Sequence, residues 1–159
     1  PMEVGPLARM YLSNLYTRGI STMDRIIARV LETKKILEIM GKLLEKIQLQ
    51  PAQQKQYELP PNALGIGLTD TTRGSLGHWL AIQEQKIDHY EIITPTAWNL
   101  SPKDSKGIHG PIEKALIGTE IQDLENPVEI GRIVRSFDPC VSCATHVTGG
   151  FPTVKMRIV

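Results

Sequence analysis

The sequence predicts an α+β fold, mainly α: a helical scaffold with one long helix and a small antiparallel sheet in the middle. Three observations carry this. Apolar residues recur at helical spacing from Ser21 towards Pro51, short strand-like runs occupy 63–69, 74–82 and 87–94, and Gly110-Pro111 and Asn126-Pro127 then open further helices. The chain thus switches from helix to sheet and back to helix.

Taken in order, Gly5-Pro6 starts a short helix with proline in its first turn, ending by Gly19. Ser21, with Asp24 three residues on, caps the long helix. Met23, Ile26, Ile27, Val30, Leu37, Met40, Leu44 and Ile47 form one stripe among lysines and glutamates, so one face is expected to be buried and the other solvated. A helix running to Pro51 would reach roughly 40 Å, more than a domain of this size spans, so partners outside the chain are expected. Residues 53–62, with Pro60-Pro61, read as a loop. The second and third strands are joined through Gln83 to Lys86 as a hairpin, and 94–99 reads as a structured loop. Helices then run from Pro111 through Ile117 and from the Asn126-Pro127 cap through about Arg135.

The last helix delivers the chain to Asp138-Pro139-Cys140-Val141-Ser142-Cys143-Ala144-Thr145-His146, which holds both cysteines. Asp138 as N-cap and Pro139 at the first helical position predict a helix with Cys140 and Cys143 on one face. There the helix N-terminus favours thiolate over thiol. After Gly149-Gly150 and Pro152, residues 153–159 alternate with period two, as an edge strand or a detachable peptide.

At 159 residues, 41% hydrophobic and 22% charged, the composition suits one soluble core. A net charge of +1 argues against nucleic acid as a partner. No window approaches the ~18 apolar residues of a membrane span, and the first twenty residues lack signal-peptide order. Two cysteines point to metal or redox use rather than a disulfide scaffold. Pro1 in first place suggests a processed chain or a fragment.

A lone Cys-x-x-Cys leaves alternatives open. It can be half of a zinc site, with His146 as third ligand and His78, His89 or His109 as fourth. It fits a thioredoxin-like site poorly, because a helix rather than a strand leads into it. Buried, inert cysteines are equally compatible with the motif. Arg73, in Asp70-Thr71-Thr72-Arg73-Gly74, reads by itself as a loop arginine in a surface salt bridge. His78 and His89 read as hydrogen-bonded strand histidines, and Trp79 and Trp98 as core.

Four ordered blocks are more specific together. Pro1-Met2-Glu3-Val4-Gly5-Pro6-Leu7-Ala8-Arg9, Arg73-Gly74-Ser75-Leu76-Gly77-His78-Trp79, Pro95-Thr96-Ala97-Trp98-Asn99-Leu100-Ser101-Pro102 and 138–146 resemble, in that order, the C-terminal portion of nickel-iron hydrogenase large subunits. The resemblance covers essentially the whole chain. It implies that 1–146 is the C-terminal portion of that subunit fold and 147–159 an extension removed on maturation.

The resemblance also assigns roles. Cys140 matches a terminal nickel ligand, and Cys143 a thiolate bridging nickel to an iron that carries carbon monoxide and cyanide. His146 and the backbone carbonyl of Ile92 match ligands of a magnesium ion, and the bond between His146 and Val147 matches the maturation cleavage site. Arg73 and Asp138 match a cation and an acid above the metals, and Thr96 a hydroxyl that hydrogen-bonds a cyanide. The implied activity is reversible heterolytic cleavage of dihydrogen, leaning towards uptake or sensory members. The implied partners are an iron-sulfur small subunit, a maturation protease and nickel-insertion proteins, in the cytoplasm or at a membrane. The chain departs from the family in having two of the four thiolates needed, so by itself it is expected to be inactive. It also has Thr72 where many relatives have proline before the arginine. Competing readings are a quinone-reductase-type scaffold without metal and a small zinc-stabilised binding domain.

Overall fold

The structure, a computed structural model, describes residues 1–49, 58 and 60–140, together with the backbone of 145–146 and 155–156. Helices and one three-stranded sheet share these residues, a mixed α and β arrangement.

Helix α1 (Pro6–Leu12) starts with proline in its first turn and buries Pro6, Leu7 and Met10. Helix α2 (Thr22–Leu44) begins as its sequence predicts. The Ser21 side chain accepts from the Asp24 backbone N–H, and the Asp24 carboxylate accepts from the Ser21 N–H at 2.7 Å. Its 23 residues span about 34 Å, ending before Pro51. The predicted burial of its apolar stripe is not seen. Arg25 and Ala28 are buried, whereas Met23, Val30, Leu37, Met40 and Leu44 are exposed. The reason is physical rather than local: among the described residues, α2 meets only α1 and α5 appreciably, near its N-terminal half, and nothing covers the rest.

The sheet contains β1 (Ala63–Thr71), β2 (Gly74–Gln83) and β3 (Lys86–Ile93), antiparallel in the order β1-β2-β3. Thr71 pairs with Gly74, so Thr72 and Arg73 form a two-residue turn. Gln83 pairs with Lys86 across Glu84 and Gln85, whose φ values of 52° and 60° are those of a type I′ turn built without glycine. Both faces of β1 and β3 are largely open, with Leu64, Ile66, Leu68 and Ile87 exposed.

Residues 95–99, read from sequence as a loop, form helix α3 (Pro95–Asn99), with the Thr94 side chain accepting from the Ala97 N–H. Helix α4 (Pro111–Leu116) and helix α5 (Val128–Ser136) follow. Pro127 rather than Asn126 occupies the cap of α5 and makes no side-chain capping bond. Strands β4 (Thr145–His146) and β5 (Lys155–Met156) pair antiparallel, so a strand does lie within the tail.

Leu7, Met10, Tyr16 and Ala28 form the core between α1 and α2. Ile133, Val134 and Phe137 bury the inner face of α5. Buried Arg25 joins the two regions. Its guanidinium lies 3.9 Å from the Phe137 ring centre and makes two 2.8 Å hydrogen bonds to Glu3.

Candidate metal centre

Asp138 is where sequence and structure part. Helix α5 ends at Ser136, Phe137 caps it, and Asp138 follows with φ 51° and its N–H on the Arg135 carbonyl at 3.0 Å. This is the left-handed residue that commonly closes a helix, with proline next because the helix cannot continue. Asp138-Pro139 therefore ends α5 instead of opening a new helix, and the described residues Pro139 and Cys140 are not helical. The predicted helix-dipole effect on Cys140 has no basis in this geometry.

That ending points the segment at two others. The Cys140 backbone N–H donates to Thr96 Oγ1 at 3.2 Å, tying the exposed Cys140 to the first turn of α3. Arg73 Nε lies 3.4 Å from Asp138 Oδ2, with both side chains about two-fifths exposed. A pair so exposed adds about 0–1 kcal/mol to stability at most, so its value lies in placing the charge. The Arg73 Nε atom is itself shielded from solvent and not aligned for a hydrogen bond.

The turn carrying Arg73 is held from behind by the N-terminal segment that precedes α1. Gly5 (φ 116°) packs so closely that an added Cβ would lie 2.7 Å from the Arg73 carbonyl oxygen, and at Gly74 (φ 134°) one would lie 2.8 Å from the Gly5 nitrogen. Only glycine suits both positions. The same segment is clasped by buried Asn99, whose side chain accepts from the Val4 N–H at 2.9 Å and donates to the Val4 carbonyl at 3.0 Å.

Of the predicted site residues, Arg73, Thr96, Asp138 and Cys140 are thus linked, in two contacts that meet at 138–140. Ile92 sits on β3 opposite His78, with no described contact to that group. Cys143, Val147 and the His146 side chain lie outside the described residues, which contain no group of three metal-ligating side chains. The histidines considered for zinc have other partners: His78 Nδ1 is 2.6 Å from the Tyr90 hydroxyl, His89 Nε2 is 3.8 Å from Glu91, and His109 Nδ1 is 3.1 Å from Glu113. The Gly110 N–H, with His109, holds the Glu113 carboxyl below its ordinary pKa. Trp79 and Trp98 are half-buried.

Sequence reasoning missed Arg9, Asn99 and α3. For α3 the signal was present, since Thr94-Pro95 has the same cap-then-proline form used elsewhere. Arg9 and Asn99 gave none, because their partners lie far away in sequence.

The family model described as nickel-dependent hydrogenase matches residues 11–146. The Hydrogenase-1 large chain of Escherichia coli is 39% identical, over 93% of this chain and 30% of its own length. The uptake hydrogenase large subunit of Rhodobacter capsulatus is 38% identical, over 86% of this chain and 25% of its own. A crystal structure of a reduced, active Ni-Fe-Se hydrogenase from Desulfomicrobium baculatum superposes with a TM-score of 0.79 at 38% identity, covering 88% of this chain and 34% of that one. The chain therefore spans about a third or less of the length of these relatives.

Proposed function

The chain belongs to the nickel-dependent hydrogenase family, and on that premise we propose that it supplies the C-terminal part of a catalytic large subunit that cleaves dihydrogen reversibly into protons and electrons. The observation that carries the reading is that the Arg73 cation and the Thr96 hydroxyl meet residues 138–140, which include the Asp138 carboxylate and Cys140.

The donor chemistry fits the group in part. Cys140 and Cys143 are soft ligands suited to nickel and to a nickel-iron pair, and the other two thiolates must come from outside this sequence. When bound, such a centre supplies Lewis acidity and redox capacity. Cys140 would hold nickel, and Cys143 would hold nickel and iron. Arg73, steadied by Asp138, provides a positive charge that needs no reorganisation during the reaction. Thr96 accepts the Cys140 N–H through its hydroxyl oxygen, so its own proton would be available to donate to the cyanide of an iron that also carries carbon monoxide. His146 and the Ile92 carbonyl would hold magnesium. The bond from His146 to Val147 is cut by a maturation protease after nickel-insertion proteins have acted. Electrons leave through an iron-sulfur small subunit, in a protein of the uptake or sensory type, in the cytoplasm or at a membrane. None of the described helices is long and apolar enough to cross a membrane.

The test is metal analysis and hydrogen uptake of the assembled enzyme, with Cys143→Ser alongside. Nickel and iron together, lost in the variant, support the reading, whereas zinc or no metal overturns it. Intact mass decides the processing step: matured protein that still carries Val147 to Val159 refutes cleavage after His146.

A further inference from the structure

Arg9 lies on α1, outside the group formed by Arg73, Thr96, Asp138 and Cys140, yet it grips the turn that carries Arg73. A guanidinium has five N–H donors, and here all five are engaged. Nε and one Nη2 proton go to the two Glu32 carboxylate oxygens, at 2.6 and 2.7 Å. Nη1 donates to Asp70 Oδ1 at 3.2 Å and to the Thr71 carbonyl at 3.0 Å. The second Nη2 proton reaches the Thr72 carbonyl at 3.2 Å.

The last of these bonds matters most, because the Thr72 carbonyl belongs to the same rigid peptide unit as the Arg73 nitrogen. On the other side of Arg73, its own carbonyl is backed by Gly5. Both peptide planes flanking Arg73 are therefore held, one by Arg9 and one by Gly5. The bidentate pair with Glu32 anchors the grip to α2, with Arg9 and Glu32 one-quarter and one-eighth exposed. Glu32 also keeps Arg9 more firmly protonated than usual.

We propose that Arg9 is a positioning residue for the site: by fixing the peptide plane that precedes Arg73, it sets the direction in which the Arg73 side chain leaves the turn towards Asp138. This rests on reading Arg73 as the fixed cation of the metal centre. Lysine cannot replace Arg9, since a point charge does not serve five acceptors spread over a planar fork.

The test uses the assembled enzyme carrying Arg9→Lys, Glu32→Gln, Arg73→Lys, or Arg9→Lys with Arg73→Lys. It reads turnover per bound nickel and hydrogen exchange in the segment 70–76. Arg9→Lys is expected to cut turnover per nickel about tenfold and to speed exchange of the segment several-fold, with α2 unchanged. Glu32→Gln acts in the same direction and less. In the Arg73→Lys background, Arg9→Lys changes the residual turnover by less than about twofold, because its effect passes through Arg73. Unchanged exchange in 70–76, or the same fold-loss in both backgrounds, overturns the proposal. So does failure of both Arg9→Lys and Glu32→Gln to bind nickel, which would make Arg9 a folding residue. Full turnover in Arg73→Lys overturns the parent reading, and this one with it. That outcome differs from failure of Arg9 alone, in which Arg73→Lys is impaired and exchange in the turn does not move.

Discussion

Gly74→Ala tests how tightly the cation-bearing turn is built. At φ 134° an L side chain is strained, at a cost of about 1–3 kcal/mol. The new methyl would also sit 2.6 Å from Val4 Cγ2, 2.8 Å from the Gly5 nitrogen and 2.9 Å from Val4 Cβ. A side-chain methyl can swing away, but a backbone nitrogen cannot, so overpacking adds about 1–3 kcal/mol. The sum is about 4 kcal/mol, or roughly 4 °C in Tm for an assembled subunit about three times the length of this chain. Gly118→Ala is the matched control. Its φ of 80° is also left-handed, but nothing lies within 4 Å of an added Cβ, so only the backbone strain of about 1–2 kcal/mol applies. Thermal unfolding of the assembled subunit measures both. Equal shifts in the two variants would refute the close approach of Val4 and Gly5 to the Arg73 turn.

Two further predictions follow from the site and from the long helix. Arg73→Lys in the assembled enzyme keeps nickel and iron but loses about a hundredfold in turnover, since the charge survives while the planar fork does not; full hydrogen uptake by that variant would contradict the role of Arg73. For Asp24, hydrogen bonds from the Ser21 side chain, then the Tyr16 hydroxyl, then the Ser21 backbone hold the carboxyl below its ordinary value. The unfolded chain then takes up the proton first. The stabilisation is fully present above the unfolded value of about 3.9 and is lost as pH falls through the lower folded value. The Tm difference between wild type and Asp24→Asn should therefore shrink from pH 6 to pH 3, and a constant difference would count against the capping box.

What was legible in the sequence was local. Ser21 and Asp24 announce the start of α2 because both halves of the cap lie within four residues, and the alternating runs after Ala63 announce the sheet. The Asp138-Pro139 pair was misread because aspartate and proline are as much at home after a helix as before one. Only the backbone, with φ 51°, decides between them. The exposed stripe of α2 was illegible for another reason: periodicity says which face is apolar, while burial depends on what lies against it. Arg9 escaped notice because an arginine's partners cannot be inferred when they sit 23 to 63 residues away. The site residues themselves emerged from four blocks taken together and not from any one motif, and their geometric linkage at Cys140 became visible only in three dimensions.

Among the described residues, long-range contacts tie this region together. Cys140 reaches back 44 residues to Thr96, Val4 and Asn99 are 95 apart, and Arg29 donates to the Ser136 carbonyl across 107 residues at 3.0 Å. Each such closure costs chain entropy before any contact rewards it, so these links form late in folding. During synthesis, Thr96 and Arg73 emerge well before residues 138–140, which they contact. The order of the sequence itself thus delays these links until nearly all of this stretch has been made.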